Sequence, residues 1–333
     1  MTDLSRPLLF ALGASRDLGV QVAHALGTEL ADIEERSFED GEHKIRPLVS
    51  VRGRHAYVLH SLYSDQEQSV NDKLCRLLFF IGCLRDASAV TVNVLIPYLA
   101  YARKDRKTQP RDPVTTRYVA LLLEAVGADR VVTLDVHNLA AFQNAFRCRT
   151  DHLEAAGLLV RHFAAAFSSA DEPSVISPDA GGMKRAQRFR ELLGTELGRS
   201  PSLGFLEKSR EGGKMSHGQL VGMVEGRPAL ILDDLISTGG TLVGAARACK
   251  KAGATRAYAA ATHGVFATEA NDVLADEALD GIVITNSIPE LKLSSPAVLE
   301  KLTVLDISPL LGEAIRRIHG GGSLVELLRP PFN

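Results

Sequence analysis

Residues Ala229–Leu242 read ALILDDLISTGGTL: an apolar run, two adjacent acids, a small polar loop with two glycines, and the start of a helical pattern. A short apolar run bounded by turn residues suits a buried strand, and a glycine-bearing loop leading into a helix completes a strand–loop–helix unit. The loop has chemistry in it. Ser237, Thr238, Gly239, Gly240 and Thr241 can turn consecutive backbone N–H groups towards one phosphate at a helix N-terminus, with the glycines permitting close approach. Asp233 and Asp234 can accept hydrogen bonds from vicinal ribose hydroxyls or hold a magnesium ion. The plainer alternative is a strand-to-helix turn capped by Ser and Thr. An acidic pair ending a buried strand weighs against it, because buried carboxylates need partners.

The same alternation runs outward in both directions. Apolar runs at residues 7–12, 56–60, 90–96, 130–134, 175–177, 229–232, 256–262, 281–285 and 302–305 predict strands, and 71–84, 115–125, 183–193 and 242–252 predict helices. Gly253 stands where a helix-ending glycine belongs. Runs buried on both faces suit parallel strands covered by helices, so the class is α/β with mostly parallel sheets. A boundary falls near residues 145–155, where a first set of strands is complete and a helix is expected to begin near Asp151. This gives an N-terminal domain over 1–150 and a C-terminal domain over 151–333, with the last helix able to pack back on the first.

A chain of 333 residues fits two domains, and 45% hydrophobic with 23% charged residues is ordinary for a folded protein. Lys and Arg number 38 against 40 Asp and Glu, a net charge of -2, which leaves no global attraction for nucleic acid or an anionic membrane. Any anion must be met by a local cluster. Cys75, Cys83, Cys148 and Cys249 are widely spaced without a C-x-x-C pair, which argues against a zinc site or a disulfide framework. Leu8–Leu12 is too short for a signal segment, so the expected location is cytoplasmic.

The common nucleotide and hydrolase motifs, G-x-x-x-x-G-K-[ST], G-x-G-x-x-G after a strand, H-E-x-x-H and G-x-S-x-G, are absent. Instead the chain carries FEDGE at 38–42, SVRG at 50–53, VND at 70–72, IPYLAYARKDRK at 96–107, GADRVVTLDVH at 127–137, DHL at 151–153, SPDAGG at 177–182 and ATHGVF at 261–266. With the Asp233–Thr241 loop, which matches the phosphoribosyl pyrophosphate signature of phosphoribosyltransferase-type domains, this set resembles the ribose-phosphate pyrophosphokinase (phosphoribosyl pyrophosphate synthetase) family over nearly the whole chain.

The resemblance implies two similar phosphoribosyltransferase-type domains and transfer of the diphosphoryl group of ATP to the 1-hydroxyl of ribose 5-phosphate. It implies Lys208 and Arg210 as the catalytic flexible-loop pair, closing over the triphosphate as charge moves onto AMP. Phe38, Asp40 and Glu42 fit the adenine loop, and Arg103 with Lys104 the ATP phosphates. Asp233, Asp234 and Ser237–Thr241 fit ribose 5-phosphate. His137 and Asp179 match magnesium-associated positions, His137 the weaker as a direct ligand because imidazole is a less usual partner for magnesium than oxygen. The resemblance also implies a homo-oligomer built from dimers, with ATP and ribose 5-phosphate as partners and neither nucleic acid nor membrane. Three departures stand out: Lys104 where the family often has Gln, Ser237 where an acid is common, and residues 138–146 in place of a Q-I-Q-G-F-F stretch. Two other readings remain: a non-catalytic synthetase-associated regulatory protein, and a phosphoribosyltransferase consuming the diphosphate.

Overall fold

Strands apolar on both faces must be covered on both, and the chain does so in two α/β units. The computed structural model describes residues 6–211, 214–289 and 292–328, with the side chains of 208–211 and 214–218 outside that description. One unit comprises the chain up to Glu154 joined by Ile307–Leu327, and the other runs from Ala155 to Asp306 and takes in Leu328.

The first unit contains β1 (Leu8–Ala11), α1 (Arg16–Leu26), β2 (Ile33–Ser37), β3 (His43–Pro47), β4 (His55–Leu59), α2 (Val70–Asp86), β5 (Thr91–Ile96), α3 (Thr115–Ala125), β6 (Arg130–Leu134), α4 (Leu139–Ala145) and β7 (Arg149–Leu153). Among the described residues its sheet has the order β1-β4-β5-β6-β7, all parallel, while β2 and β3 form a separate antiparallel hairpin. Phe10, Val58, Val94 and Val131 from the sheet pack with Leu77, Phe80, Ala120 and Leu123 from the helices. Helix α2 starts at a reciprocal cap: the Ser69 hydroxyl accepts from the Asp72 N–H, and the Asp72 carboxylate accepts from the Ser69 N–H at 2.7 Å.

The second unit contains α5 (Ala156–Ala166), β8 (Ser174–Ser177), α6 (Met183–Leu197), β9 (Ser202–Glu211), β10 (Lys214–Val221), β11 (Pro228–Ile236), α7 (Gly240–Lys251), β12 (Arg256–Gly264), α8 (Ala270–Val273), β13 (Gly281–Thr285), α9 (Pro296–Leu299) and β14 (Leu302–Leu305). The sheet order is β10-β9-β8-β11-β12-β13-β14, parallel except for the β9–β10 hairpin. From β8 the chain adds strands on one side and then returns to add β11 on the other. That reversal makes the β8/β11 junction a topological switch point, where open α/β sheets leave a crevice at the strands' carboxyl ends. The chain then re-enters the first unit through α10 (Ser308–Gly320), where Arg316 Nη2 donates to the Ala25 carbonyl at 2.9 Å.

Two expectations change. No helix begins near Asp151: residues 149–153 form strand β7, with the Asp151 carboxylate paired to Arg130 on β6, and α5 starts only at Ala156. The segment expected as a flexible loop has the backbone of a hairpin, with Lys208 opposite His217 and Arg210 opposite Met215.

Helix α7 begins from a turn that only glycine accommodates. Gly239 has φ +86°, and a Cβ there would lie 2.4 Å from Leu274 Cδ2, whereas a Cβ on Gly240 would meet only the Thr238 hydroxyl at 3.9 Å. Gly239→Ala should therefore cost about 2–4 kcal/mol through left-handed strain and overpacking, and Gly240→Ala close to nothing. Urea unfolding of both variants checks this; equal losses would rule out the account of the turn.

Candidate active site

The second unit gathers its polar groups at the switch point. Asp233 and Asp234 sit near the end of β11, and successive strand residues point to opposite faces, yet one cation serves both. Arg185 Nη1 lies 3.3 Å from Asp233 Oδ1 and 3.4 Å from Asp234 Oδ1. Arg185 stands in the first turn of α6, the helix that follows β8, so the strand reversal is what brings it to the end of β11. The Asp234 side chain is 5% exposed and that of Asp233 28%. Burial first, and then the hydrogen bond and charge of Asp234, push the Asp233 carboxyl up to about 7, with Arg185 opposing. One guanidinium thus serves two carboxylates, whose oxygens can also accept from hydroxyl donors or hold a cation.

Beside it, Asp179 caps the turn after β8 by accepting from the Gly182 N–H at 3.1 Å, and the Ser177 hydroxyl donates to the Asp179 carbonyl at 2.6 Å. A Cβ on Gly182 would lie 2.7 Å from that hydroxyl, so the backbone passes close to β8 there. The 237–241 loop is anchored from behind. The Ile236 carbonyl accepts from Val265 and Phe266, and the Ser237 carbonyl from Ala267 at 3.0 Å. The first helical bond of α7 runs from the Val243 N–H to the Gly239 carbonyl, and the N–H groups of the preceding turn have no intrahelical acceptor, as at any helix N-terminus. The loop is thereby held with donors available to an anion. His263, buried at the end of β12, shares a 2.8 Å hydrogen bond with the Ser287 hydroxyl.

In the first unit, Phe38–Glu42 forms the turn of the β2–β3 hairpin: the Phe38 N–H donates to the Glu42 carbonyl at 2.8 Å, and Gly41 has φ +90°. Phe38 is half-buried under the Arg36 guanidinium, 5.0 Å from the ring centroid, and Asp40 and Glu42 are exposed. Asp40 Oδ1 accepts from the Glu42 N–H at 3.0 Å. Arg103 and Lys104 lie in the connection after β5, at the sheet's carboxyl edge. Arg103 is exposed, whereas the Lys104 ammonium is bound by Asp112 and by the Thr108 hydroxyl at 2.9 Å. His137 follows β6 and is exposed; the neighbouring Asn138 amide donates to Asp105 at 2.5 Å. The Lys208 and Arg210 side chains lie outside the described residues. Among the described residues no group of three or more His, Cys, Asp or Glu side chains is arranged to hold a metal.

Sequence reasoning missed Arg185. It is one of several cations in MKRAQRFREL, and nothing in that pattern marks it; only its place one turn beyond SPDAGG could have drawn attention.

Comparison with known proteins matches residues 8–127 to the N-terminal domain of ribose phosphate pyrophosphokinase and residues 211–329 to the phosphoribosyl synthetase-associated domain. Ribose-phosphate pyrophosphokinase 1 of Streptococcus pneumoniae is 38% identical over 314 residues, 93% of each chain. The ribose-phosphate pyrophosphokinase of Fusobacterium nucleatum is 37% identical over 330 residues, 98% of this chain and 99% of that protein. The crystal structure of phosphoribosylpyrophosphate synthetase from Mycobacterium smegmatis superposes with a TM-score of 0.85 at 34% identity, covering 95% of this chain and all of that one.

The raised carboxyl of Asp233 makes stability depend on pH. Its ordinary value is 3.8 and its folded value about 7, so as pH rises between them the unfolded chain releases the proton first. The folded state then holds more protons, and stability falls over that window. Asp233→Asn should flatten this fall and gain on the parent protein above it. Thermal unfolding midpoints taken from pH 4 to 8 read the slope, and an unaltered slope would mean that Asp233 ionises normally.

Proposed function

The chain belongs to the ribose-phosphate pyrophosphokinase family, and on that premise we propose that it transfers the diphosphoryl group of ATP to the 1-hydroxyl of ribose 5-phosphate. The products are 5-phosphoribosyl 1-pyrophosphate and AMP, for nucleotide biosynthesis. The observation that carries the sugar side is the buried Asp233–Asp234 pair, shared by one guanidinium beside an anchored loop of small residues at the β8/β11 switch point. A ribose bearing a 5-phosphate has the two features such a place accommodates: vicinal hydroxyls for carboxylates and a dianion for backbone N–H groups.

In the reaction the sugar's 1-hydroxyl oxygen forms a bond to the β-phosphorus and gives its proton up to solvent, the bond between that phosphorus and the oxygen bridging to the α-phosphate breaks, and AMP leaves with the negative charge. Catalysis of this kind is mostly positioning and charge stabilisation. Asp233 and Asp234 orient the ribose hydroxyls, and the N–H groups of residues 237–241 fix the 5-phosphate. Phe38 offers a ring to the adenine, and Asp40 and Glu42 are acceptors for its amine. Arg103 meets the ATP phosphates as a planar, two-pronged donor. Lys208 and Arg210 supply the cations for charge that appears on AMP.

Magnesium fits the donors present, because the carboxylates of Asp179, Asp233 and Asp234 are hard oxygen ligands. His137 would act through water. When bound, the ion neutralises phosphate charge. The assembly proposed is a homo-oligomer built from dimers, and the location cytoplasmic. Neither other reading gains support: relatives named as pyrophosphokinases align with the chain from end to end, including the N-terminal domain.

Purified protein supplied with magnesium, ATP and ribose 5-phosphate should give equal amounts of AMP and 5-phosphoribosyl 1-pyrophosphate, followed by chromatography and mass spectrometry. ADP in place of AMP would mean single-phosphoryl transfer and would overturn the assignment. Lys208→Ala should lower kcat by roughly 10²–10⁴-fold with a modest change in the KM for ATP, since its cation meets charge present only in the transition state. A near-normal kcat would make Lys208 a surface residue.

A further inference from the structure

The connection between β5 and α3 carries an internal crosslink that the family resemblance does not assign. Asp112 Oδ2 accepts from the Lys104 ammonium, from the Thr108 hydroxyl at 2.8 Å and from the N–H groups of Thr108 and Gln109, both at 2.9 Å. Four donors from three residues thus converge on one carboxylate oxygen and close residues 104–112 into a ring. Hydrogen bonding from Lys104 first, and then from Thr108, holds the Asp112 carboxyl well below the usual range, so the bridge stays charged through neutral pH.

The surrounding backbone needs such a fastening. Tyr101 has φ +63° and Arg111 φ +69°, left-handed conformations that side-chain-bearing residues keep only where other contacts hold them. At Tyr101 the hold comes from its carbonyl, which accepts from the hydroxyls of Thr115 and Thr116. At Arg111 the next residue is Asp112 itself. The segment also contains Arg103, Arg106, Lys107 and Arg111, all exposed, whose mutual repulsion favours an open loop.

Arg103 stands between anchored neighbours. Ala102 is buried in the first unit's core, Lys104 is bridged, and Asp105 accepts from Asn138. We propose that Lys104 is a positioning residue: bridged to Asp112, it closes the 104–112 loop and so presents Arg103 from a fixed backbone to the ATP phosphates. This rests on the functional reading above. A lysine that bound phosphate directly would first have to leave Asp112, whereas one that clamps the loop spares Arg103 the entropy of being ordered when ATP arrives.

The test compares Lys104→Met, Asp112→Asn and the double variant in the full chain, with ATP titrated at saturating ribose 5-phosphate and magnesium. Each single variant should raise the KM for ATP about tenfold and alter kcat by less, and the double variant should be within about twofold of either single, because both changes break one bridge. If Lys104 were a direct phosphate ligand, Lys104→Met alone would raise the KM while Asp112→Asn would leave or lower it. That pattern, multiplicative effects, or no effect at all would overturn the proposal. Trypsin provides a readout without substrates: cleavage after Arg106 and Lys107 should be about tenfold faster in each single variant, as expected for a loop that opens more often. Unchanged cleavage would also overturn it. If the parent protein formed no AMP, the functional reading would fail, and the cleavage rates would still decide the clamp.

Discussion

Two carboxylates on consecutive residues of a buried strand lose hydration together and repel each other, and the second unit is arranged so that one guanidinium meets both. Arg185 can do this only because the strand order reverses between β8 and β11, which sets the helix after one strand beside the end of the other. The same junction needs the tight passage of Gly182 past Ser177 and the capped turn at Asp179. At the carboxyl end of β11, beside the crevice of the strand reversal, Asp233 and Asp234 can also accept from hydroxyl donors or hold a divalent ion.

The bridge at Asp112 is one case of a device the chain uses repeatedly. Asp65 accepts from the N–H groups of Glu67 and Gln68 and from Lys73; Asp129 from the Val92 N–H and Arg85; Asp171 from the Ser168 N–H and Arg256; Asp276 from the Ala278 N–H and Arg247; Asp280 from the Ala257 N–H and Lys250. In each, an acid in a connection binds a backbone N–H and a cation at once, and at Asp129 and Asp280 that N–H belongs to a strand, β5 and β12, so the acid ties its loop to the sheet. Such junctions satisfy polar groups that an apolar core cannot, and they confine loops that would otherwise sample many conformations. Where the cation is exposed, as at Arg247, salt screens the attraction but leaves the backbone bond in place.

The central strands were legible because burial on both faces makes them apolar and short: residues 130–134 and 281–285 begin and end where periodicity puts them, and the edge strand 302–305 and helix Thr115–Ala125 do too. Elements that escaped are those whose stability comes from partners instead of composition. Ile33–Ser37 and His43–Pro47 are charge-rich and stand outside the predicted strands, yet they pair with one another through five residue pairs and a Glu34 carboxylate shared by Lys44 and Arg46. A helix is expected to begin near Asp151, but residues 149–153 form a strand in which Arg130 on the adjoining strand binds that acid. At the site, the acids and the glycine loop announced themselves through their position after an apolar run. Arg185 and Asp112 did not, since a lone charge reveals its role only when the fold shows what lies opposite.

The first unit is built from two pieces of chain, and this orders events during synthesis. Helix α10 packs against α1 so closely that a Cβ on Gly312 would lie 3.0 Å from that of Ala25, and Tyr57 shares a 3.4 Å hydrogen bond with His319. A nascent chain released only as far as Glu154 lacks the helix that covers α1, and it must wait through the whole of residues 155–306 to obtain it. The second unit, contiguous apart from the last residues of the chain, can largely close before the first is complete, against the usual N-terminal-first order. Premature termination between residues 306 and 320 would therefore strike the half of the protein made earliest. It would expose the apolar surface of α1 that α10 covers in the complete chain.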